Sequence, residues 1–375
     1  MIKKIVKYPI SIFVLMIIII ITILDIINRD KDFSNFENRS LAQKPVFYFD
    51  DFLKGRFTKD YERYINDQFV FRDKWIDLKS RSEFLLGKIE NNNIIYGENN
   101  FLFEKYQKID EKSLTKNIEF LLSFINKTPK DKVNFMIIPS SYTIYKDYLP
   151  YGVELVDQET YIKDIYNYLN NYNNINIISI MDSLKENKDK YIYYKTDHHW
   201  TSFGAYLAYS EFVKNNNLTL VDMSHFNKNE VDNFYGTYFS KSKNFNAESD
   251  VITYYDLPNL SVSIDGVPVD NINDDSRWSS SDKYSAFLRG NNGLTIIQNN
   301  DIYNNNNKIL VLKDSFANSF IQYIVNNYKE VYVVDLRSFI GSFNEFFESN
   351  KFDDILIMYN FINLVEDVNI SKIKY

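Results

Sequence analysis

Lys308-Ile309-Leu310-Val311-Leu312-Lys313-Asp314-Ser315-Phe316 reads as a short apolar strand that turns, through an acid and a hydroxyl, into a helix. Four aliphatic residues without alternation predict a strand covered on both faces, as in a parallel sheet. The helix is expected from Phe316 to about Asn327. The rhythm then repeats, with a strand at 331–334, a helix near 338–348 and a strand at 355–358. Toward the N-terminus, Val133–Ile138 is a similar run closed by Pro139. A helix near 158–170 leads to a strand at 175–180, and residues 191–194 form a short extended piece. Thr201 or Ser202 can cap a helix running to about Lys214. Strands separated by helices of this length predict a mostly parallel sheet with helices on both faces. Residues 222–306 break the rhythm. Strand-like runs at 251–255, Leu260–Ile264, 284–288 and 294–297 lie between Asp-Gly and Asn-rich turns, which predicts a β-rich insertion.

The residues able to do chemistry concentrate in Thr196-Asp197-His198-His199-Trp200. The chain has three histidines, His198, His199 and His225, and two fall in this stretch. In an extended segment residues two apart share a face, so Asp197 can orient the His199 imidazole while His198 points the other way. That pair is the acid–base half of a nucleophilic site. Ser315 is the expected nucleophile. Open α/β sheets place ligands beyond the carboxyl ends of their strands, where helix N-terminal N–H groups can also meet an oxyanion. The plainer alternatives are a helix cap for Ser315 and a surface or capping role for His199. No metal site and no cofactor are expected, because adjacent histidines on an extended chain diverge and no His-x-x-x-His pair occurs.

In serine esterases of the SGNH class the serine follows the first strand and the Asp–His pair closes the chain. A circular permutation of that order gives every strand here a place. The strands at 308–312, 331–334 and 355–358 become first to third, and Val133–Ile138 and 175–180 become fourth and fifth, followed by Asp197 and His199. The third strand ends at Asn360, where that class carries an oxyanion asparagine. The second ends at Asp335-Leu336-Arg337, so Arg337 can bind an anionic group or form a structural ion pair. The expected fold is α/β: an SGNH-like (flavodoxin-like) parallel sheet in circularly permuted order, a β-rich insertion and one N-terminal transmembrane helix.

Several pieces spread over nearly the full length carry a resemblance. They are Glu37-Asn38-Arg39-Ser40-Leu41, Asn66-Asp67-Gln68-Phe69-Val70-Phe71-Arg72-Asp73, and the Thr196–Trp200 stretch with its helix. Phe287-Leu288-Arg289-Gly290-Asn291-Asn292, Leu312-Lys313-Asp314-Ser315-Phe316-Ala317-Asn318-Ser319 and Val334-Asp335-Leu336-Arg337 complete the set. Together they resemble the DHHW protein family, related to the alginate O-acetylation proteins of the SGNH-like acyltransferase group. The resemblance implies an Asp–His–Ser triad, falling on Asp197, His199 and Ser315, that moves acetyl groups onto exported polysaccharide. Asn360, Arg337, Trp200 and Asn291 are the further candidates for the oxyanion or the substrate. Two departures bear on the oxyanion hole and the acid. One residue rather than two separates Asp197 from His199, and Lys313 replaces the glycine of the usual Gly-Asp-Ser.

Composition sets the surroundings. Among 375 residues there are 30 Tyr, 30 Phe and no Cys, which supplies a core and excludes thiol nucleophiles, disulfides and cysteine zinc sites. A net charge of −7 without a basic cluster argues against nucleic acid as a partner. After Lys3, Lys4 and Lys7, residues 9–27 are almost wholly apolar and reach the roughly 20 residues needed to span a bilayer. No small-x-small cleavage site follows, so an uncleaved signal-anchor is expected, its N-terminus cytoplasmic and the rest outside the cell membrane. The expected organisation is 1–27 anchor, 28–100 stalk and helical segment, 101–221 and 307–375 the two parts of the sheet domain, and 222–306 the insertion. The expected function is O-acetyl transfer to a cell-surface or exported polysaccharide. A carbohydrate esterase or deacetylase and a non-catalytic polysaccharide-binding or assembly protein are the alternatives. A membrane-bound O-acyltransferase is the implied acyl donor, since an outward-facing enzyme has no direct access to cytoplasmic acetyl-CoA. Trp200, Trp278 and Tyr235 are the aromatics able to form a sugar platform or to support the fold.

Overall fold

A computed structural model describes residues 8–34, 37, 39–128, 133–257, 259–302 and 306–374. Lys3, Lys4 and Lys7 of the expected anchor flank, and Asn38 of the first family piece, lie outside the described residues. Two units are present: residues 1–91 with 243–245, and residues 92–242 with 246–375.

In the first unit, helix α1 (Pro9–Ile27) is apolar apart from Ser11, Thr22 and Asp25, and none of its residues is buried. Its length, about 28 Å at the α-helical rise, suits a bilayer core. Among the described residues it is the one helix long and apolar enough to cross a membrane. Helices α2 (Arg56–Gln68) and α3 (Arg72–Leu85) follow. The first two family pieces meet here: the Arg39 guanidinium donates to both carboxylate oxygens of Asp67 at 2.8 and 2.5 Å, and Arg72 pairs with Glu37 at 2.7 Å.

The second unit is built on an eight-stranded sheet. Its strands are β1 (Val133–Ile138), β2 (Ile175–Ile177), β5 (Leu260–Ile264), β6 (Val267–Val269), β7 (Leu294–Asn299), β8 (Lys308–Lys313), β9 (Glu330–Val334) and β10 (Asp354–Asn360). A separate antiparallel pair is formed by β3 (Asn227–Phe234) and β4 (Asp250–Asp256). The spatial order is β6-β5-β7-β9-β8-β10-β1-β2. From β9 to β2 the pairing is parallel throughout; β7, β5 and β6 continue it antiparallel. Every residue of β1 is buried, as are Ile309–Lys313 of β8, which is why those runs lack alternation.

Residues 222–306, expected as a β-rich insertion, contribute β5, β6 and β7, which extend the main sheet from the edge of β9. The antiparallel hairpins there satisfy the outer edge of β9, which a parallel strand would have needed a long crossover to reach. The strand expected at 284–288 is instead a 3-10 helix, Lys283–Arg289. Tyr284 and Phe287, three apart, then turn to the same side and pack at 5.3 Å. A run of five residues is too short to fix a period of its own, so tertiary packing chose the helix.

β10 lies beside β8, whereas the chain leaves β8 to the other side, toward β9. The sequence of connections therefore reverses between β8 and β10, and the crevice beyond their carboxyl ends is the topological switch point. Helix α4 (Ala317–Ile324) leaves from that end of β8 with every residue buried. Helix α5 (Ser202–Asn215) is capped by Thr201, whose hydroxyl accepts from the Gly204 N–H at 3.3 Å.

Candidate active site

The site forms where two turns meet. In the first, Tyr193 bridges to Trp200 and the Tyr194 N–H donates to the His199 carbonyl, so residues 195–198 are folded back rather than extended. Asp250, at the start of β4, holds this turn. Its carboxylate accepts from the N–H groups of Lys195 and Thr196, each at 2.8 Å, and from the hydroxyls of Thr196 and Tyr191. The second turn follows β8. Asp314 accepts from the Phe316 N–H at 2.9 Å, and from the Asn360 N–H and Asn363 Nδ2, both at 2.7 Å. That carboxylate ties the start of α4 to the end of β10 and leaves Ser315 at the crevice.

The structure brings Asp197, His199 and Ser315 into one hydrogen-bonded row. His199 Nδ1 lies 2.5 Å from Asp197 Oδ1, and His199 Nε2 lies 2.8 Å from Ser315 Oγ. Asp197 is held from behind by Thr237, whose N–H and hydroxyl donate to Oδ2 at 2.8 and 2.6 Å. Gly236 makes that approach possible, because a Cβ there would sit 2.2–2.6 Å from the Asp197 side chain. Burial opposes ionisation of Asp197, but His198, His199 and Thr237 outweigh it and hold its pKa below the usual carboxylate range. An ionised carboxylate can only accept, so His199 Nδ1 carries the proton and Nε2 is left to accept from the serine hydroxyl. Burial also lowers the pKa of His199 despite the facing Asp197, so the ring is neutral at neutral pH. The ring is clamped on both faces. Tyr284 stacks on it at 3.7 Å and 9°, and the His198 ring lies 3.8 Å away on centroid distance.

His198 thus overturns the expectation that it points away. The premise was an extended segment, and the turn at 195–198 swings both rings to one side, with His198 Nδ1 at 2.8 Å from the Thr237 hydroxyl. The ligand atoms of Asp197, His198 and His199 consequently lie within 4.8 Å of one another. Both His199 nitrogens are already engaged by Asp197 and Ser315, an arrangement suited to proton transfer.

The other predicted residues divide. Trp200 is fully buried and its indole donates to the Phe316 carbonyl at 2.9 Å and the Ser319 hydroxyl at 3.1 Å; it joins the two turns and offers no face to a sugar. Trp278 is likewise buried, stacked on Tyr254 at 4.3 Å, while Tyr235 is partly exposed against Phe239. Asn360 Nδ2 donates to the Ile138 carbonyl at 3.1 Å and its Oδ1 caps Ile362, which engages the oxygen and one of the two amide protons. Arg337 makes two bonds to Asp335, at 2.8 and 2.6 Å, and keeps a third of its side chain exposed. Lys313 is buried and donates to Asp335, Asn291 Oδ1 and Asn318 Oδ1 at 3.1, 3.0 and 2.8 Å. All three ammonium protons are matched, which is what allows a charge to replace the family glycine inside the protein.

Sequence reasoning missed Gly236, Thr237, Asp250 and Tyr284. Their partners lie far away in the chain, Thr237 being 40 residues from Asp197 and Asp250 54 from Thr196, and the one local signal was a glycine beside a threonine at 236–237. Comparison with known proteins adds relatives. A family model described as DHHW protein matches residues 122–334. No curated protein matches the chain. Among solved structures, a DHHW family protein from Eubacterium siraeum DSM 15702 is similar at 23% identity and a TM-score of 0.66, over 76% of this chain and 96% of that one. Bacillus cereus PatB1 with a sulfonyl adduct is similar at 19% identity and a TM-score of 0.60, over 75% of this chain and 98% of that one.

Proposed function

The chain belongs to the DHHW family, and from that premise we propose that it is a serine O-acyltransferase that places acetyl groups on a cell-surface or exported polysaccharide. The observation that carries this reading is the hydrogen-bonded row Asp197–His199–Ser315. In the first half-reaction Ser315 Oγ attacks the donor's acyl carbonyl as His199 Nε2 takes its proton, and Asp197 stabilises the imidazolium. Collapse of the tetrahedral species expels the donor's leaving group, which receives that proton, and leaves acyl-Ser315. In the second half a sugar hydroxyl gives its proton to His199, takes the acyl group and frees the serine. Oxyanion stabilisation falls to the turn at Ser315 and to Asn291. The Asn291 carboxamide oxygen is held by Lys313 and Asn318, which turns its Nδ2 outward from them.

The spatial order of β9, β8, β10, β1 and β2 is 2-1-3-4-5 when counted from β8, the flavodoxin-like order. That supports an SGNH-type sheet in circularly permuted chain order, with the acid and base arriving after the last strand. Helix α1 supports a single-pass anchor that holds the second unit outside the membrane, supplied with acyl groups by a membrane-bound O-acyltransferase. The test is incubation of the full chain with a chromogenic acetyl ester and an oligosaccharide, followed by mass spectrometry. Acetyl on Ser315 and then on sugar is expected, with neither in Ser315→Ala. Acetyl released only as free acetate would make the protein an esterase, and no acyl-Ser315 at all would remove the mechanism.

A further inference from the structure

The first unit carries a feature that acyl transfer does not use. Near the end of α1 the Asp25 carboxylate accepts from the Val70 N–H at 3.0 Å, and the Asn28 side chain donates to the Gln68 carbonyl at 2.9 Å. The exit of the apolar helix is thereby tied to the C-terminal end of α2. Going back along α2 from Gln68, Ile65, Tyr61 and Phe57 recur every three or four residues and share one face. Ile65 and Tyr61 are exposed and Phe57 is half-buried. The face runs on past the helix start: the Phe57 ring lies 5.6 Å from Tyr61 and 5.0 Å from Phe47, and Phe47 lies 5.9 Å from Phe52. Phe47 and Phe52 are 57% and 50% exposed. Beside the tie itself, Trp75 donates its indole N–H to the Val70 carbonyl at 3.1 Å and stays 45% exposed. Lys59, Glu62, Arg63 and Asn66 occupy the other sides of α2 and are exposed.

We propose that this aromatic face is a lipid-binding surface: α2 lies along the outer leaflet with Phe47, Phe52, Phe57, Tyr61 and Ile65 in the headgroup–acyl boundary. The inference rests on α1 being a membrane anchor. Continuity selects the occupant, because the apolar stripe begins at Ile65, within one turn of Gln68, whose carbonyl is bonded to Asn28 at the end of α1. α2 is about 20 Å long at the helical rise, so the far end of the stripe reaches lipid only if the helix runs along the surface. An amphipathic helix in that position buries its apolar face about 5–10 Å below the headgroups, and tryptophan favours the same zone. Charge does not drive the contact. Lys54, Arg56, Lys59 and Arg63 are balanced by Asp50, Asp51, Asp60 and Glu62, so zwitterionic lipid suffices.

The absence of native cysteine makes the test direct. Single variants Ile18→Cys, Phe52→Cys, Tyr61→Cys and Tyr151→Cys are labelled with a fluorophore in the full chain. Each is reconstituted in phosphatidylcholine vesicles without bromolipid, with lipid brominated near the headgroup end of the acyl chains, and, for Ile18, with lipid brominated near the chain ends. Ile18 reports the anchor, and Tyr151, on an exposed site of the second unit, reports bulk water. The expected result is at least a twofold loss of emission at Phe52 and Tyr61, none at Tyr151, and no change on adding salt. Quenching at Ile18 with Phe52 and Tyr61 behaving like Tyr151 would overturn the surface and leave the anchor standing, whether the face then binds a second copy or another protein. No quenching at Ile18 would remove the anchor and the surface with it.

Discussion

Ser315 and His199 stand on two short turns, one leaving the buried strand β8 and the other folded back between Tyr194 and Trp200. The serine turn is pinned by Asp314, its own neighbour, to the end of the adjacent parallel strand. The histidine turn is pinned by Asp250, and its acid by Gly236 and Thr237, all from the segment that follows α5. Strand packing thus places Ser315, whereas long-range polar contacts place His199. The two halves should differ in how they fail: chemistry is lost at the serine without structural change, and geometry is lost first at the histidine.

Removing the nucleophile should give the largest effect. Ser315→Ala is expected to lower ester turnover by about 10⁶-fold with thermal stability unchanged, since the hydroxyl's loss leaves the Asp314 contacts in place. Comparable turnover in the variant would place the nucleophile elsewhere. Asp197→Asn is expected to cost about 10⁴-fold, because an amide facing Nδ1 favours the wrong tautomer. A loss of less than tenfold would mean that the acid only supports the turn.

Gly236→Ala probes the difference between the halves most sharply. The new methyl collides with the Asp197 carboxylate, and a displacement on the order of 1 Å is expected to cost about 10²-fold. The control is the exposed Gly152, where a Cβ meets nothing within 4 Å; its positive φ gives a small stability cost and no loss of rate. Equal rates for both variants would show that the histidine turn tolerates movement.

The smallest effect concerns pH. His199 accepts a proton only when neutral, and burial holds its pKa below the usual value of about 6.5. Rate should therefore rise with pH along an acid limb below that value and level off by neutral pH. Arg337 and Lys313 are among the charges lowering His199, so Arg337→Gln should move the limb upward by a few tenths of a pH unit. A downward movement would mean that Arg337 acts through the Asp335 contacts instead.

Legibility followed the same division. The strands at 133 and 308 could be read because burial on both faces leaves an unbroken apolar run, and Ser315 followed from its place at the end of one. The Asp197–His199 contact was anticipated for a reason that does not hold, since the segment is a turn, and the same error sent His198 the wrong way. Trp200 looked available for a substrate because an indole in sequence does not reveal its hydrogen-bond partner. Tyr284, stacked on His199, was hidden in a run too short to fix a period.

By itself the sequence determined the alternation of strands and helices, the apolar N-terminal helix, and which serine, histidine and aspartate come together at the crevice. These follow from local patterning and from scarcity, with three histidines in the whole chain. The tertiary structure alone decided which side chains remain free to act. Hydrogen bonds are satisfied across distances of up to hundreds of residues, as Asn360 and Ile138 show, and only folding reveals which donors are already taken.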